Sequence, residues 1–220
     1  MVKNVSVKEN IQKANDEIAA ENRQDLDGTN TLGLNLMASP GAGKTTLIEK
    51  TLHAVNGKFQ VAVIDGDIAS SIDADRAEQA GAAAVQINTG GACHIDANML
   101  QQALQEVDLE TMNLVLVENV GNLICPASFK LGTHKNILIA SIPEGDYKPY
   151  KYPTMYRDLD VLVINKIDLM PYVDFDLHYF QKGVEILSPG LETIPLSCKT
   201  GEGLERWYEW VQESLQGEED

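Results

Sequence analysis

From residue 31 onward, short apolar runs alternate with segments whose apolar positions recur at helical spacing. "LGLNLMA" (32–38), "FQVAVID" (59–65) and "AAVQIN" (83–88) read as strands. "NLVLVEN" (113–119), "NILIASI" (136–142) and "DVLVINK" (160–166) are too short for helices and rich in β-branched residues, so they read the same way. "ETIPLS" (192–197) is the last strand expected. Helices are expected at 44–56, at 71–80, from about Cys93 to Val107, at 174–187 and at 202–216. Strands apolar on both faces, alternating with helices, predict an α/β fold with a mostly parallel sheet flanked by helices. Ligands in such folds bind at the carboxyl ends of the strands. Ahead of this pattern, Val7, Ile11, Ala14 and Ile18 recur at helical spacing within 6–24, with Ser6 as a candidate cap, until "DLDGTN" breaks the helix. The chain thus divides into an N-terminal helix and linker, 1–30, and one domain, 31–220.

Charge narrows the partners. The formal net charge is -16, from 33 acidic and 17 basic residues. Nucleic acid and anionic membrane both call for basic patches, so neither is expected as a partner. No apolar run approaches the ~20 residues of a membrane span. The N-terminus has no apolar signal core, and three cysteines cannot all pair within one chain. A reducing cytoplasm is the simpler setting.

"ASPGAGKTT" (38–46) follows the first strand and opens a helix. It matches the P-loop pattern G-x-x-x-x-G-K-[ST], except that Ala38 replaces the first glycine. Gly41 and Gly43 let the backbone wrap until its N–H groups meet a β-phosphate. Lys44 neutralises β/γ oxygens, and the Thr45 hydroxyl is a Mg²⁺ ligand. Gly41, Ala42, Gly43, Lys44, Thr45 and Thr46 are the expected phosphate contacts. "NKIDLM" (165–170) has the N-K-x-D form of guanine-specific NTPases. Asp168 can accept from guanine N1–H and N2–H₂, where adenine offers no donor. Asn165 is expected at the N7/O6 edge, with the Lys166 stem over the base. "SCKTGEG" resembles the S-A-K loop whose backbone contacts guanine O6, which adds Ser197, Cys198 and Lys199.

"DGDIASSIDADR" (65–76) places four acids after the second strand, and "ENVGN" (118–122) ends the fourth. Glu118 and one of Asp67 or Asp73 are the candidate Mg²⁺-side acids; Asp65 and Asp75 read equally well as loop acids or a helix cap. Gly121 is the expected switch hinge, and no residue is identifiable as the one that orients water. "TGGACHIDANML" (89–100) sets Cys93 beside His94 after a glycine pair. The pair reads either as packing or as two metal ligands. Cys125 sits four residues beyond Gly121, and loops after parallel strands emerge on one edge. Cys93, His94 and Cys125 are then three ligands of a site that normally needs four. A two-fold dimer would bring a second set to the same axis.

"LNLMASPGAGKTTL", "TGGACHIDA", "ENVGNLICPASFKLG", "EGDYKPYKYP" and "NKIDL" resemble the HypB family, GTPases for nickel insertion in [NiFe]-hydrogenase maturation, over about residues 32–215. HypB belongs with UreG to the dimerising P-loop GTPases of the SIMIBI type. UreG has a Cys-Pro-His triplet and no cysteine matching Cys125. The resemblance implies a regulatory Ni²⁺ or Zn²⁺ site of Cys93, His94 and Cys125 at a homodimer interface, and Mg²⁺ held by Thr45, Asp73 and Glu118. It implies that Lys148 and Lys151 approach nucleotide across the dimer, and Lys44, Thr45, Asp73, Glu118 and Lys151 form the expected catalytic set. GTP and GDP, a metallochaperone of the HypA type and, indirectly, the hydrogenase large subunit are the implied partners. No histidine or cysteine precedes His53, so the N-terminal nickel stretch of some HypB proteins is not expected. Two rival readings remain: a zinc-linked structural dimer whose assembly GTP regulates, and a GTPase chaperone for another metalloenzyme.

Overall fold

The chain is described by a computed structural model over residues 7–217, apart from 56, 68–71 and 123. Ser6 lies outside the described residues. Seven strands, β1 (Leu32–Ala38), β2 (Val61–Asp67), β3 (Ala83–Asn88), β4 (Leu114–Glu118), β5 (Lys135–Ser141), β6 (Val161–Asn165) and β7 (Glu192–Pro195), pair in parallel in the order β3-β2-β4-β1-β5-β6-β7. β1 lies between β4 and β5, with Leu32 opposite Leu114 and Leu34 opposite Lys135. Its seven residues are all buried, as are the five of β4 and of β6, so these strands read as mainly apolar runs.

Side chains of successive strand residues enter opposite layers. Leu32, Leu34 and Leu36 pack with Leu47 and Leu52 of α2 (Lys44–Val55) and with Trp207 and Trp210 of α7 (Leu204–Gln216). On the other face, Val115 and Val117 pack with Leu26 of α1 (Val7–Gly28) and Leu100 of α4 (Ala97–Leu104). Farther along that face, Leu162 and Ile164 meet Phe180 and Val184 of α6 (Leu177–Leu187). The helices α3 (Ile72–Gln79) and α5 (Lys148–Lys151) follow β2 and β5. Among the described residues no helix is long and apolar enough to cross a membrane.

Two expected helices differ. α1 continues through "DLDG" to Gly28, where Thr29 Oγ1 donates to the Asp25 and Leu26 carbonyls and Asn30 turns at φ 54°. Its buried face is Asn15, Ala19, Asn22 and Leu26, whereas Ile11 is 54% exposed. The docked stripe is therefore displaced from the Ile11–Ala14–Ile18 stripe, because two asparagines replace apolar side chains on it. α4 begins at Ala97 rather than Cys93: Asp96 accepts from Met99 N and caps it. Cys93 and His94 consequently lie in the β3–α4 loop, where adjacent side chains need not diverge as on a helix. α5 also occupies a stretch that the apolar pattern leaves without an element.

Candidate nucleotide cleft and metal centre

The loops that leave the carboxyl ends of β1, β2, β4 and β6 converge on a cleft of about 440 Å³. Gly41, Gly43, Lys44, Thr45, Thr46, Asp65, Asp67, Asp73, Glu118, Gly121 and Lys166 are among its lining residues. Gly41 and Gly43 hold φ 76° and 101°, and a Cβ on Gly43 would collide with the Asn165 amide. That close approach is what the glycine supplies. Lys44 Nζ donates to Glu118 Oε1 at 2.9 Å, and Thr45 Oγ1 donates to the same oxygen at 2.6 Å. The P-loop lysine and threonine hydroxyl thus share one buried carboxylate oxygen.

Asp65, Asp73 and Glu118 each offer an oxygen within 4.8 Å of the others. Of the two alternatives, Asp73 joins Glu118, and Asp67 does not belong to the trio. Asp65, which the sequence leaves open as a loop acid, is buried within β2, and its Oδ2 has no hydrogen-bond partner among the described residues. Burial, then the neighbouring Glu118 and Asp73 charges, push its carboxyl up to about 7, against a smaller opposing pull from Lys44. The signal for Asp65 was its place at the end of an apolar run, inside the strand rather than after it. Asp73 is itself steered by Arg76, which reaches it at 3.5 Å while its guanidinium grips both Glu49 oxygens at 2.7 Å.

The base end is built from β6 and the loop after β7. Ser197 Oγ donates to Asp168 Oδ1 at 2.6 Å, leaving the carboxylate fixed with acceptor capacity to spare. Lys166, at φ 64°, extends its Nζ to the Gly41 carbonyl at 2.6 Å, so its stem crosses from base loop to P-loop. Asn165 is held by backbone on both sides. Its Nδ2 donates to Ala42 O, and its Oδ1 accepts from Lys166 N and Cys198 N. Both ends are engaged with backbone, so Asn165 ties the two loops together and keeps one Nδ2 hydrogen to donate. Cys198 is buried, and burial pushes its thiol up to about 11, which fits packing. Lys199 follows it in the exposed turn 199–202 without lining the cleft.

Cys93, His94 and Cys125 come together within one chain, their ligand atoms all within 4.8 Å of one another. The two sulfurs are 2.7 Å apart, and Cys93 Sγ is 3.7 Å from His94 Nδ1. The His94 ring stacks on Phe129 at 4.1 Å, and Asn122 Nδ2 donates to the Cys93 carbonyl. Burial lowers the His94 pKa, which favours the neutral imidazole a metal needs. Two thiols and an imidazole form a soft donor set suited to Ni²⁺ or Zn²⁺. Cys93 is exposed, and Ile124, next to Cys125 in the chain, is 59% exposed.

Lys148 and Lys151 do not line the cleft. Lys148 lies 4.0 Å from Glu144 and over the Tyr152 ring, and Lys151 lies between the Tyr147 and Tyr152 rings.

Residues 34–195 match the family model described as CobW/HypB/UreG, nucleotide-binding domain. A hydrogenase maturation factor HypB from Rhizobium leguminosarum bv. viciae is 40% identical over 210 residues, covering 96% of this chain and 70% of that one. The crystal structure of HypB from Helicobacter pylori in complex with nickel superposes with a TM-score of 0.88 at 36% identity, over 93% of this chain and 96% of that one. The signal recognition particle 54 kDa protein of Aeropyrum pernix in complex with GDP, at 14% identity and TM-score 0.56, shares the fold over 90% of this chain and 53% of that one. The P-loop cleft, the parallel sheet that carries it and this agreement in sequence and structure lead to one assignment: the chain belongs to the CobW/HypB/UreG family of nucleotide-binding proteins, within its HypB hydrogenase maturation branch.

Proposed function

We propose that the chain hydrolyses GTP to GDP and phosphate in the cytoplasm, and uses the nucleotide cycle to gate a nickel- or zinc-holding site of Cys93, His94 and Cys125 at a homodimer interface. Its place is nickel insertion into [NiFe]-hydrogenase, with a metallochaperone of the HypA type exchanging the ion. One observation carries this reading. Glu118, which holds Lys44 and Thr45, and Cys125 lie on the same segment, with Gly121 between them. Gly121 packs on the P-loop itself, where a Cβ would come within 3.3 Å of Pro40.

Thr45, Asp73 and Glu118 present hard oxygen donors, with Asp65 Oδ2, unpartnered among the described residues, beside them, and this set fits Mg²⁺. When bound there, Mg²⁺ would neutralise charge between the β- and γ-phosphates. Phosphate oxygens compete with Glu118 for Lys44, so nucleotide entry removes a partner from the end of β4. In this reading the change passes through Gly121, which lies against Pro40, toward Cys125. Lys148 and Lys151 stand away from their own cleft, and Lys151 is exposed, which supports a role for Lys151 as a cation supplied to a second copy. The exposed Ile124 beside the metal ligands gives that copy an apolar contact.

The test is nickel binding by equilibrium dialysis, in GDP and in a nonhydrolysable GTP analogue, with dimer fraction measured on the same samples. Affinity or stoichiometry should change with nucleotide, and Cys125→Ser should abolish the change. Identical binding in both states would reduce the centre to a static structural site.

A further inference from the structure

The two loops that carry the metal ligands are joined by three asparagines, none of them a ligand. Asn15, on α1, accepts from Ala97 N at 2.9 Å and donates to Lys130 O at 2.8 Å. Ala97 follows His94 by three residues, and Lys130 follows Cys125 by five. Asn22, two turns along the same helix, donates from one amide group to Ala97 O and to Leu131 O, both at 2.9 Å. Asn119 does the same from the sheet side: its Oδ1 accepts from Ile95 N at 3.1 Å and from Val120 N at 3.0 Å. Each side chain therefore touches the backbone just past His94 and the segment that leads to or from Cys125.

These amides are not surface residues turned inward by chance. Asn22 and Asn119 are 0% exposed and Asn15 is 8% exposed. Asn22 keeps both bonds although its own Oδ1 has no partner among the described residues, a cost that an apolar side chain would avoid. Gly132, at φ 92°, brings the Cys125 segment so close to α1 that a Cβ there would collide with the Ala19 carbonyl. Asn119 is anchored in turn, donating to Asn35 Oδ1 at 3.2 Å, while Asn35 donates to Asn136 Oδ1 at 3.0 Å. The chain of amides spans β4, β1 and β5.

We propose that Asn15, Asn22 and Asn119 are positioning residues of the metal centre, a bracket that holds the Cys93–His94 loop and the Cys125 loop at ligand distance before the ion arrives. The proposal rests on the reading of Cys93, His94 and Cys125 as a nickel-holding site. Groups bonded directly to metal ligands typically change metal affinity by about 10- to 100-fold; these amides act on the backbone of the ligand loops, so the lower end of that range is expected. α1 contributes no residue to the nucleotide cleft, so its two asparagines can be tested apart from GTP binding.

Asn15→Asp keeps the acceptor for Ala97 N and loses the donor to Lys130 O, so it cuts one leg of the bracket. Leu26→Ala removes a fully buried anchor of the same helix without touching either loop's hydrogen bonds. With Ni²⁺ alone as the probe, Asn15→Asp should weaken binding at least about tenfold and diminish the thiolate-to-nickel absorption band. GDP affinity should not change. Leu26→Ala should lower thermal stability and leave nickel affinity within about twofold of wild type. Equal nickel affinity in Asn15→Asp and wild type would overturn the bracket alone, as would equal losses in Asn15→Asp and Leu26→Ala. Wild-type protein whose nickel binding ignores Cys125→Ser would overturn the site and the bracket together.

Discussion

Replacing Asp65 with asparagine should stabilise the nucleotide-free, metal-free protein, and should do so only at neutral and alkaline pH. Asp65 is an acid whose carboxyl is pushed up from near 3.8 to about 7 in the folded chain. The native state holds this proton more tightly than the unfolded chain does. The stability it contributes is complete below about pH 4 and is lost as pH rises to about 7. At ~1.36 kcal/mol per pH unit the displacement is worth about 4 kcal/mol. The carboxylate faces a cleft open to water, which screens part of this, so about 2 kcal/mol is the expected net effect. The asparagine amide of the variant, uncharged at every pH, would mimic the protonated acid throughout. Urea unfolding in EDTA at pH 4.5 and pH 8 measures both proteins. Wild type should lose about 2 kcal/mol more than Asp65→Asn between the two conditions. Parallel losses in the two proteins would show that Asp65 is not held under electrostatic tension, and the argument from burial beside Glu118 and Asp73 would fail.

Asp168→Asn should weaken GTP binding by about a hundredfold or more and favour a xanthine nucleotide, whose 2-oxo group accepts where guanine donates; fluorescent-nucleotide titration reads this, and unchanged GTP affinity would refute the base assignment. Thr51→Val should cost about 1–3 kcal/mol in urea unfolding, because the buried Trp207 indole N–H that reaches Thr51 Oγ1 at 2.8 Å would lose its acceptor. Nucleotide affinity should not follow.

The sheet was legible because fully buried parallel strands leave apolar runs that need no partner to be recognised. β1, β4 and β6 appear in the sequence almost at their true bounds. The P-loop and N-K-x-D residues were legible because a fixed spacing encodes their chemistry. α1 was misread for the opposite reason. Asn15 and Asn22 look like solvent-facing positions until the carbonyls of Lys130, Leu131 and Ala97 are brought to them, and those lie 75 to 115 residues away. Asn165 shows the same limit. A motif gives its residue type but not its engagement with Ala42 O and Cys198 N. The start of α4 carried a local signal, Asp96 placed three residues before Met99, but the glycine pair ahead of Cys93 suggested an earlier start.

The strand order also governs how the chain can be made. β1 is the innermost strand, yet it pairs with neither of the two strands that follow it in sequence. Its partners, β4 and β5, emerge from the ribosome about 80 and 100 residues later. Until then seven consecutive residues destined for complete burial have no sheet to join. A nascent chain in that interval exposes an unpaired apolar edge, the kind of surface through which chains aggregate. Slow synthesis between residues 38 and 114 would lengthen this exposure, whereas slow synthesis after β5 would not.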